Sequence, residues 1–295
     1  MKTRFEKLLS FLPERIARAA ASAAGGAAVE ELRLRTARPP QLVFANGDAL
    51  AEGVVFTPDD AKELLERLCR HSVYSHGEEL ANGFITVDGG SRVGVCGRPV
   101  TEGGRVVRLT EITGFNMRVS YEAVGCAEAV MGLLTEGGSP VSTLIAAPPS
   151  GGKTTLLRDA ARCFSYGVGA RPVKVAVADE RGELAGFIDG APSFDLGPRT
   201  DVMELCPKAA AIPMLIRSMS PDLVITDEVG GGADAEALSE AARCGVRVIA
   251  SAHASSGEEL LARKDLKPIL NCGAFTRVLL LKRSGSRLTV CPVAL

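Results

Sequence analysis

The chain has 295 residues, 46% of them apolar and 23% charged, the balance of a globular protein long enough for two domains. Thirty-four basic side chains stand against thirty-five acidic ones for a formal charge of −1, so no global field draws the protein to nucleic acid or anionic lipid. No stretch approaches the ~18 apolar residues of a membrane span, and Glu6, Lys7, Glu14, Arg15 and Arg18 interrupt the N-terminal segment, which argues against a secretory signal and for a cytoplasmic location.

Residues 1–20 carry Phe5, Leu8, Leu9, Leu12 and Ile16 at helical spacing, with Pro13 able to break the run, and the Ala-Gly residues at 19–28 are expected to form a loose connector. Val29 to Arg35 alternates apolar and charged as a strand does, and Leu42-Val43-Phe44 leads into Asn46-Gly47, a dipeptide suited to a hairpin turn. Thr57-Pro58-Asp59-Asp60 offers a capping hydroxyl, a proline for the first helical position and acids for the positive end of the dipole, predicting a helix to about Arg70. From Glu78 onward Asn82-Gly83, Gly89-Gly90, Gly94, Gly97 and Gly103-Gly104 separate short runs, among them Arg105–Leu109 and Asn116–Val119, which predicts a small antiparallel sheet with tight turns. A junction is expected near 125–138, dividing an N-terminal α+β domain over 1–130 from a second domain over 131–295.

In the second domain apolar runs at 173–177, 223–226 and 246–250 alternate with helical segments at 153–164, 204–219 and 233–244, the last closed by Gly245. The pattern predicts a mostly parallel sheet covered on both faces. A hairpin around Ser284-Gly285, from Phe275 to Leu281 and from Leu288 to Val290, is expected to close the chain. Eight cysteines, at 69, 96, 126, 163, 206, 244, 272 and 291, include no C-x-x-C pair and are expected to be buried small hydrophobes in a reducing compartment.

The chemistry centres on Ala147-Pro148-Pro149-Ser150-Gly151-Gly152-Lys153-Thr154-Thr155, between the apolar run Val141–Ile145 and a helical segment. A glycine-rich turn at that place can wrap a triphosphate in backbone N–H groups while Lys153 reaches the β- and γ-phosphates and Thr154 ligates Mg²⁺. Ala147 stands where the pattern G-x-x-x-x-G-K-[ST] has glycine; the structural alternative is a glycine-rich turn with a surface lysine.

Leu223–Thr226 ends in Asp227-Glu228, which suits Asp227 to the metal and Glu228 to the attacking water. Asp179-Glu180-Arg181 closes the preceding strand, so Glu180 is a second candidate at the same rim, and Glu183 keeps the choice of water-polarising acid open. His253, after the strand at 246–250, is a candidate sensor of the γ-phosphate or of a neighbouring subunit; His71 and His76 flank Tyr74 without ligand partners and are taken as structural. Phosphoryl transfer asks for a cation beyond Lys153, and Arg92, Arg98 and Arg118 are the candidates for an arginine finger, across the domain cleft or from another subunit.

Several segments carry a family resemblance. Asp179–Leu184, Arg217 with Ser220-Pro221-Asp222, Glu240–Gly245, Ser251–Ala254 and Gly114–Ser120 resemble the acidic box, the Walker B approach, the histidine box and the arginine strand of the secretion-ATPase branch of the RecA-like P-loop proteins. Over nearly the whole chain, Glu30–Arg35, His71–Tyr74, Glu78–Thr86, Gly197–Val202, Cys206-Pro207-Lys208 and Met214–Asp222 are similar to the stage III sporulation protein AA family of endospore-forming bacteria. The resemblance implies an α/β, RecA-like P-loop NTPase core with a smaller N-terminal α+β domain. It implies a mother-cell ATPase using ATP and Mg²⁺, built as a hexameric ring against a membrane protein of a sporulation channel, and it favours Arg118 as the finger. The near-neutral charge, the few aromatics and the lack of a Lys/Arg-rich patch argue against a specific nucleic-acid partner. A nucleotide-gated scaffold with little turnover, a RecA-type nucleic-acid motor and a small-molecule kinase are the rival functions.

Overall fold

The computed structural model describes residues 4–69, 76–87, 91–119, 123–149, 151–188, 190–284 and 287–293. The chain divides into two compact units, Met1–Tyr121 and Glu122–Leu295.

The first unit opens with α1 (Arg4–Leu9) and α2 (Glu14–Ala24), separated at Pro13. Leu8, Leu12, Ile16, Ala20 and Ala24 fall four apart and are all buried. The expected loose connector is corrected here. Alanine is the strongest helix former, so the Ala-rich run continues α2 until Gly25 turns left-handed at φ +54°.

Six antiparallel strands follow: β1 (Glu31–Arg35), β2 (Gln41–Phe44), β3 (Gly47–Leu50), β4 (Phe84–Val87), β5 (Ser91–Glu102) and β6 (Arg105–Arg118), in spatial order β3-β2-β1-β6-β5-β4. Phe44 pairs with Gly47, so Ala45 and Asn46 form the two-residue hairpin loop. Between β3 and β4 lie α3 (Pro58–Leu68) and α4 (Gly77–Ala81). The predicted cap on α3 forms in both directions: the Asp60 N–H donates to Thr57 Oγ1 at 3.2 Å, and the Thr57 N–H donates to Asp60 Oδ2 at 2.6 Å. The expected end at Arg70 lies outside the described residues.

The glycine-rich stretch is not a set of short strands. The segments expected at 105–109 and 116–119 merge into the single strand β6, hairpinned to β5 through Gly103-Gly104. Gly97 marks close approach rather than a turn, since a Cβ there would sit 2.7 Å from the Thr110 carbonyl oxygen. Leu32, Leu34, Val93, Phe115 and Met117 line the buried face of the sheet, in one core with Ile16, Phe56 and Leu64.

The second unit contains α5 (Met131–Leu134), β7 (Thr135–Glu136), β8 (Ser139–Pro140), β9 (Thr143–Ala147), α6 (Lys153–Tyr166), β10 (Val175–Asp179), β11 (Phe187–Ile188), β12 (Ala191–Pro192), β13 (Thr200–Glu204) and α7 (Lys208–Met219). It continues through β14 (Leu223–Thr226), α8 (Gly231–Arg243), β15 (Arg247–His253), α9 (Gly257–Ala262), α10 (Lys267–Asn271), β16 (Arg277–Ser284) and β17 (Arg287–Val293). Its main sheet runs β13-β10-β14-β15-β9-β16-β17, parallel except for the closing β16–β17 hairpin. The apolar runs of β9, β10 and β14 are buried at every position because both faces are covered. On one face Ile145, Val177 and Ile225 pack with Leu156, Leu157 and Phe164 of α6. On the other, Leu144, Ala176 and Val224 pack with Ile212 of α7 and Leu238 of α8.

Two boundaries differ from expectation. The helix predicted from 204 starts at Lys208, because Thr200–Glu204 pairs with β10 as an edge strand. The strand predicted to end at Ala250 continues to His253, pairing there with Ala147. The cysteines are all free, yet only Cys69 and Cys163 are buried; Cys96, Cys244 and Cys291 are exposed, which corrects the expectation of uniform burial. Cys244 caps α8 and Cys291 lies on the edge strand β17, positions the surrounding small residues do not reveal. Among the described residues no helix is long and apolar enough to cross a membrane.

Candidate functional site

Strand order brings the candidate residues together. β15 lies between β9 and β14, so what leaves the C-terminal ends of these strands meets at one rim: the loop to Lys153, the pair Asp227-Glu228, and His253 between them.

The loop from β9 to α6 takes the form the sequence requires. Ala147 is fully buried, and its carbonyl accepts from the Ala254 N–H at 3.2 Å. A Cβ on Gly151 would lie 2.8 Å from the Pro148 oxygen and 2.9 Å from the Ala147 Cβ, so only glycine closes this turn. Gly152 caps α6 at φ +88°. Pro149 precedes Ser150, which lies outside the described residues. Thr154 and Thr155 are half-buried in the first turn of α6.

Lys153 is buried, and Nζ donates to the carbonyls of Ala147 at 3.0 Å and Pro148 at 2.9 Å. Its third contact is His253 Nδ1 at 2.9 Å. Burial holds the ammonium below its ordinary pKa, with the Glu228 charge opposing. With Lys153 donating to Nδ1, the His253 ring keeps its proton on Nε2, 2.8 Å from Glu228 Oε1. The second carboxylate oxygen of Glu228 pairs with Arg181. Glu228 therefore sits in a chain of four side chains, Lys153, His253, Glu228 and Arg181.

The backbone at Glu228 adopts φ +42°, which non-glycine residues rarely do. Its N–H donates to Ser251 Oγ at 3.1 Å, and its carbonyl accepts from Lys208 Nζ at 3.4 Å. Such a left-handed residue, held by its surroundings, is typical of functional positions.

Asp227 is 1% exposed, and neither carboxylate oxygen has a hydrogen-bond partner. Burial first, then the charges of Asp179 and Glu183, push its carboxyl up to about 7. An orphaned buried carboxylate at a strand end fits a divalent cation: hard cations take oxygen donors, and Mg²⁺ commonly uses one or two from protein with the rest from phosphate and water.

The second acidic pair plays a different part. The Asp179 carboxylate accepts the N–H groups of Glu183 and Leu184 at 2.9 Å and Ala185 at 2.8 Å, anchoring the loop after β10. Glu180 is paired with Lys208, which outweighs burial and holds the carboxyl below its usual value.

The arginines of the first unit are placed within it. Arg118 is exposed at the end of β6, with Nε 3.6 Å from Glu31 Oε1. Arg98 pairs with Glu111 at 2.9 Å, and the Arg92 guanidinium lies 4.6 Å from the centre of the Phe84 ring. His76 pairs with Glu79 at 2.8 Å, while His71 and Tyr74 lie outside the described residues. Sequence reasoning assigned no role to Arg181, Lys208, Ser251 or Arg263, whose Nη1 donates to the His253 carbonyl at 2.5 Å. Arg181 lay within the acidic box, Ser251 within the histidine box and Lys208 within the Cys206-Pro207-Lys208 match; Arg263 lay in none of the quoted segments.

A family profile described as "Sporulation stage III, protein AA" matches residues 2–293. The stage III sporulation protein AA of Bacillus subtilis (strain 168) is 43% identical over 266 residues, which span 90% of this chain and 86% of that protein. Among solved structures, the Legionella pneumophila ATPase DotB superposes with a TM-score of 0.60 at 14% identity, over 95% of this chain and 80% of its own. The pilus retraction motor PilT, solved with bound ADP, gives a TM-score of 0.59 at 14% identity, over 91% and 79%. At these identities the structural likeness establishes the fold, a RecA-like P-loop architecture of mixed α/β class with a parallel sheet.

Proposed function

The chain belongs to the sporulation stage III protein AA family, and on that premise we propose that it hydrolyses ATP with Mg²⁺ as a motor built from a ring of like subunits, hexameric by resemblance to secretion ATPases. It works in the cytoplasm, held at a membrane by a channel partner. The observation that carries the reading is the buried carboxylate of Asp227, without a partner, one residue from Glu228 and at the same rim as Lys153.

The N–H groups from Gly152 through the first turn of α6 are offered to the phosphates, aided by the positive end of that helix. Lys153 gives up its two carbonyl contacts and His253 to reach the β- and γ-phosphates. Thr154 and Asp227 would hold Mg²⁺, which would neutralise charge on the transferred phosphoryl group. Glu228 orients the attacking water, and His253 fixes that carboxylate through Nε2. Glu180 stays with Lys208 and supports the loop. Arg118 supplies the remaining cation from a neighbouring subunit.

A nucleotide-gated scaffold is the second reading, favoured by the ion pair that ties Glu228 to Arg181. Steady-state Mg²⁺-ATP hydrolysis over a range of protein concentrations separates the two. Specific activity that rises with concentration and is lost in Lys153→Ala, Glu228→Gln and Arg118→Ala supports the motor. Unchanged hydrolysis in Lys153→Ala sinks it, and triphosphate binding without turnover favours the scaffold.

A further inference from the structure

We propose that Arg181 reads the terminal phosphate of a bound nucleoside triphosphate: it exchanges the Glu228 carboxylate for phosphoryl oxygens, and by leaving frees Glu228 to hold the attacking water. The inference rests on the nucleotide-binding reading of the site and adds to it a sensor that lies on the same chain.

Both charged groups that would meet the nucleotide have their partners inside the protein. Lys153 is bound to two loop carbonyls and to His253, and Glu228 is bound to His253 and Arg181. A carboxylate held by an imidazole and a guanidinium together is fixed in direction and has its charge largely offset, which weakens it as the acceptor that orients water. The arrangement is a resting one, and turnover from it needs Arg181 to let go.

Arg181 is built to do so. It stands two residues beyond the end of β10, the strand beside β14, at the same rim as the loop. The chain on its far side is pinned, because Asp179 accepts the N–H groups of Glu183, Leu184 and Ala185. Gly182 turns left-handed at φ +67° between these points, so the loop root is fixed while the Arg181 side chain keeps 41% exposure. Its neighbour Glu180 is committed to Lys208, which leaves Glu228 as the carboxylate that occupies Arg181.

The exchange is chemically matched. The planar guanidinium presents a fork of N–H donors that fits a carboxylate and a phosphate alike, so one partner replaces the other without new geometry. A diphosphate does not offer the terminal group, and Arg181 then stays on Glu228. The same residue thus couples recognition of the triphosphate to release of the water-orienting carboxylate.

The test is equilibrium binding of Mg²⁺-ADP and of Mg²⁺ with the non-hydrolysable triphosphate AMP-PNP to the full chain, for the wild type, Arg181→Ala, Arg181→Lys and Lys153→Ala, with thermal unfolding as the check on folding. Removing Arg181 is expected to weaken AMP-PNP by about tenfold to a hundredfold, the worth of one charge-assisted hydrogen-bonded contact, while ADP changes by less than about threefold. Arg181→Lys keeps the charge without the fork and falls between, and it carries the same comparison if the alanine variant does not fold. Equal weakening of both nucleotides, or of neither, overturns the inference and leaves Arg181 a clamp on Glu228. Lys153→Ala with no effect on either nucleotide overturns the reading of the site itself, and the sensor with it.

Discussion

The Nε2 atom of His253 lies 2.8 Å from Oε1 of Glu228, two residues carried by the ends of adjacent parallel strands. The contact sets the direction of the Glu228 carboxylate, while Nδ1 of the same ring accepts from Lys153. His253→Ala removes both links. The expected outcome is a fall in kcat of about 10–100-fold, as for loss of a group that orients a catalytic base, with KM within about threefold. Steady-state kinetics decide; a loss confined to KM would place His253 in nucleotide binding instead.

Asp227 ties stability to pH. Its carboxyl is pushed up to about 7 from the ordinary 3.8, so the folded chain binds a proton that the unfolded chain has released. The sign follows: without metal, stability is fully present below the unfolded value and declines as pH rises toward 7. Asp227→Asn removes the buried charge and is expected to be more stable than the parent at pH 8 without Mg²⁺, on the order of 2–4 kcal/mol. Denaturant unfolding at pH 5 and pH 8 measures the difference, and equal stabilities at both pH values would remove the argument. Added Mg²⁺ should narrow the gap by binding the folded parent.

Gly151→Ala tests the loop without touching a charge. The new Cβ would press on the Pro148 oxygen at 2.8 Å and the Ala147 Cβ at 2.9 Å. Nucleotide binding is expected to fall by at least about tenfold as the turn opens, while the melting temperature, set by the buried sheet, drops by only a few degrees. Wild-type affinity in this variant would show that the turn is not the binding element.

Gly97→Ala is the matching probe of the first unit. Its Cβ would lie 2.7 Å from the Thr110 oxygen and 3.0 Å from that of Glu111, inside the β5–β6 hairpin. Destabilisation of about 1–3 kcal/mol is expected, measured as a shift in denaturant midpoint. ADP binding, proposed above for the loop before α6 in the second unit, is expected to remain at the wild-type level.

The sequence by itself determined the elements whose causes are local. The Thr57–Asp60 cap formed as written, because its two hydrogen bonds join residues three apart. The buried strands β10 and β14 and the loop around Gly151 were readable because unbroken apolar runs and a glycine forced by sterics leave few alternatives. Where glycine serves close approach rather than turning, as at Gly97, the letters alone do not separate the two uses, and the Ala-rich run after Ile16 continues α2 because alanine's propensity is helical.

Only the tertiary structure decided which residues meet. That β15 lies between β9 and β14 is a matter of strand order, set by how the helices cover two faces of one sheet, and no local pattern in the chain records it. That order puts His253 between Lys153 and Glu228, gives Glu180 to Lys208 and Glu228 to Arg181, and leaves Asp227 buried with no partner of its own. The sequence named the charged groups; their pairing depends on distances between residues up to a hundred positions apart, which folding alone sets.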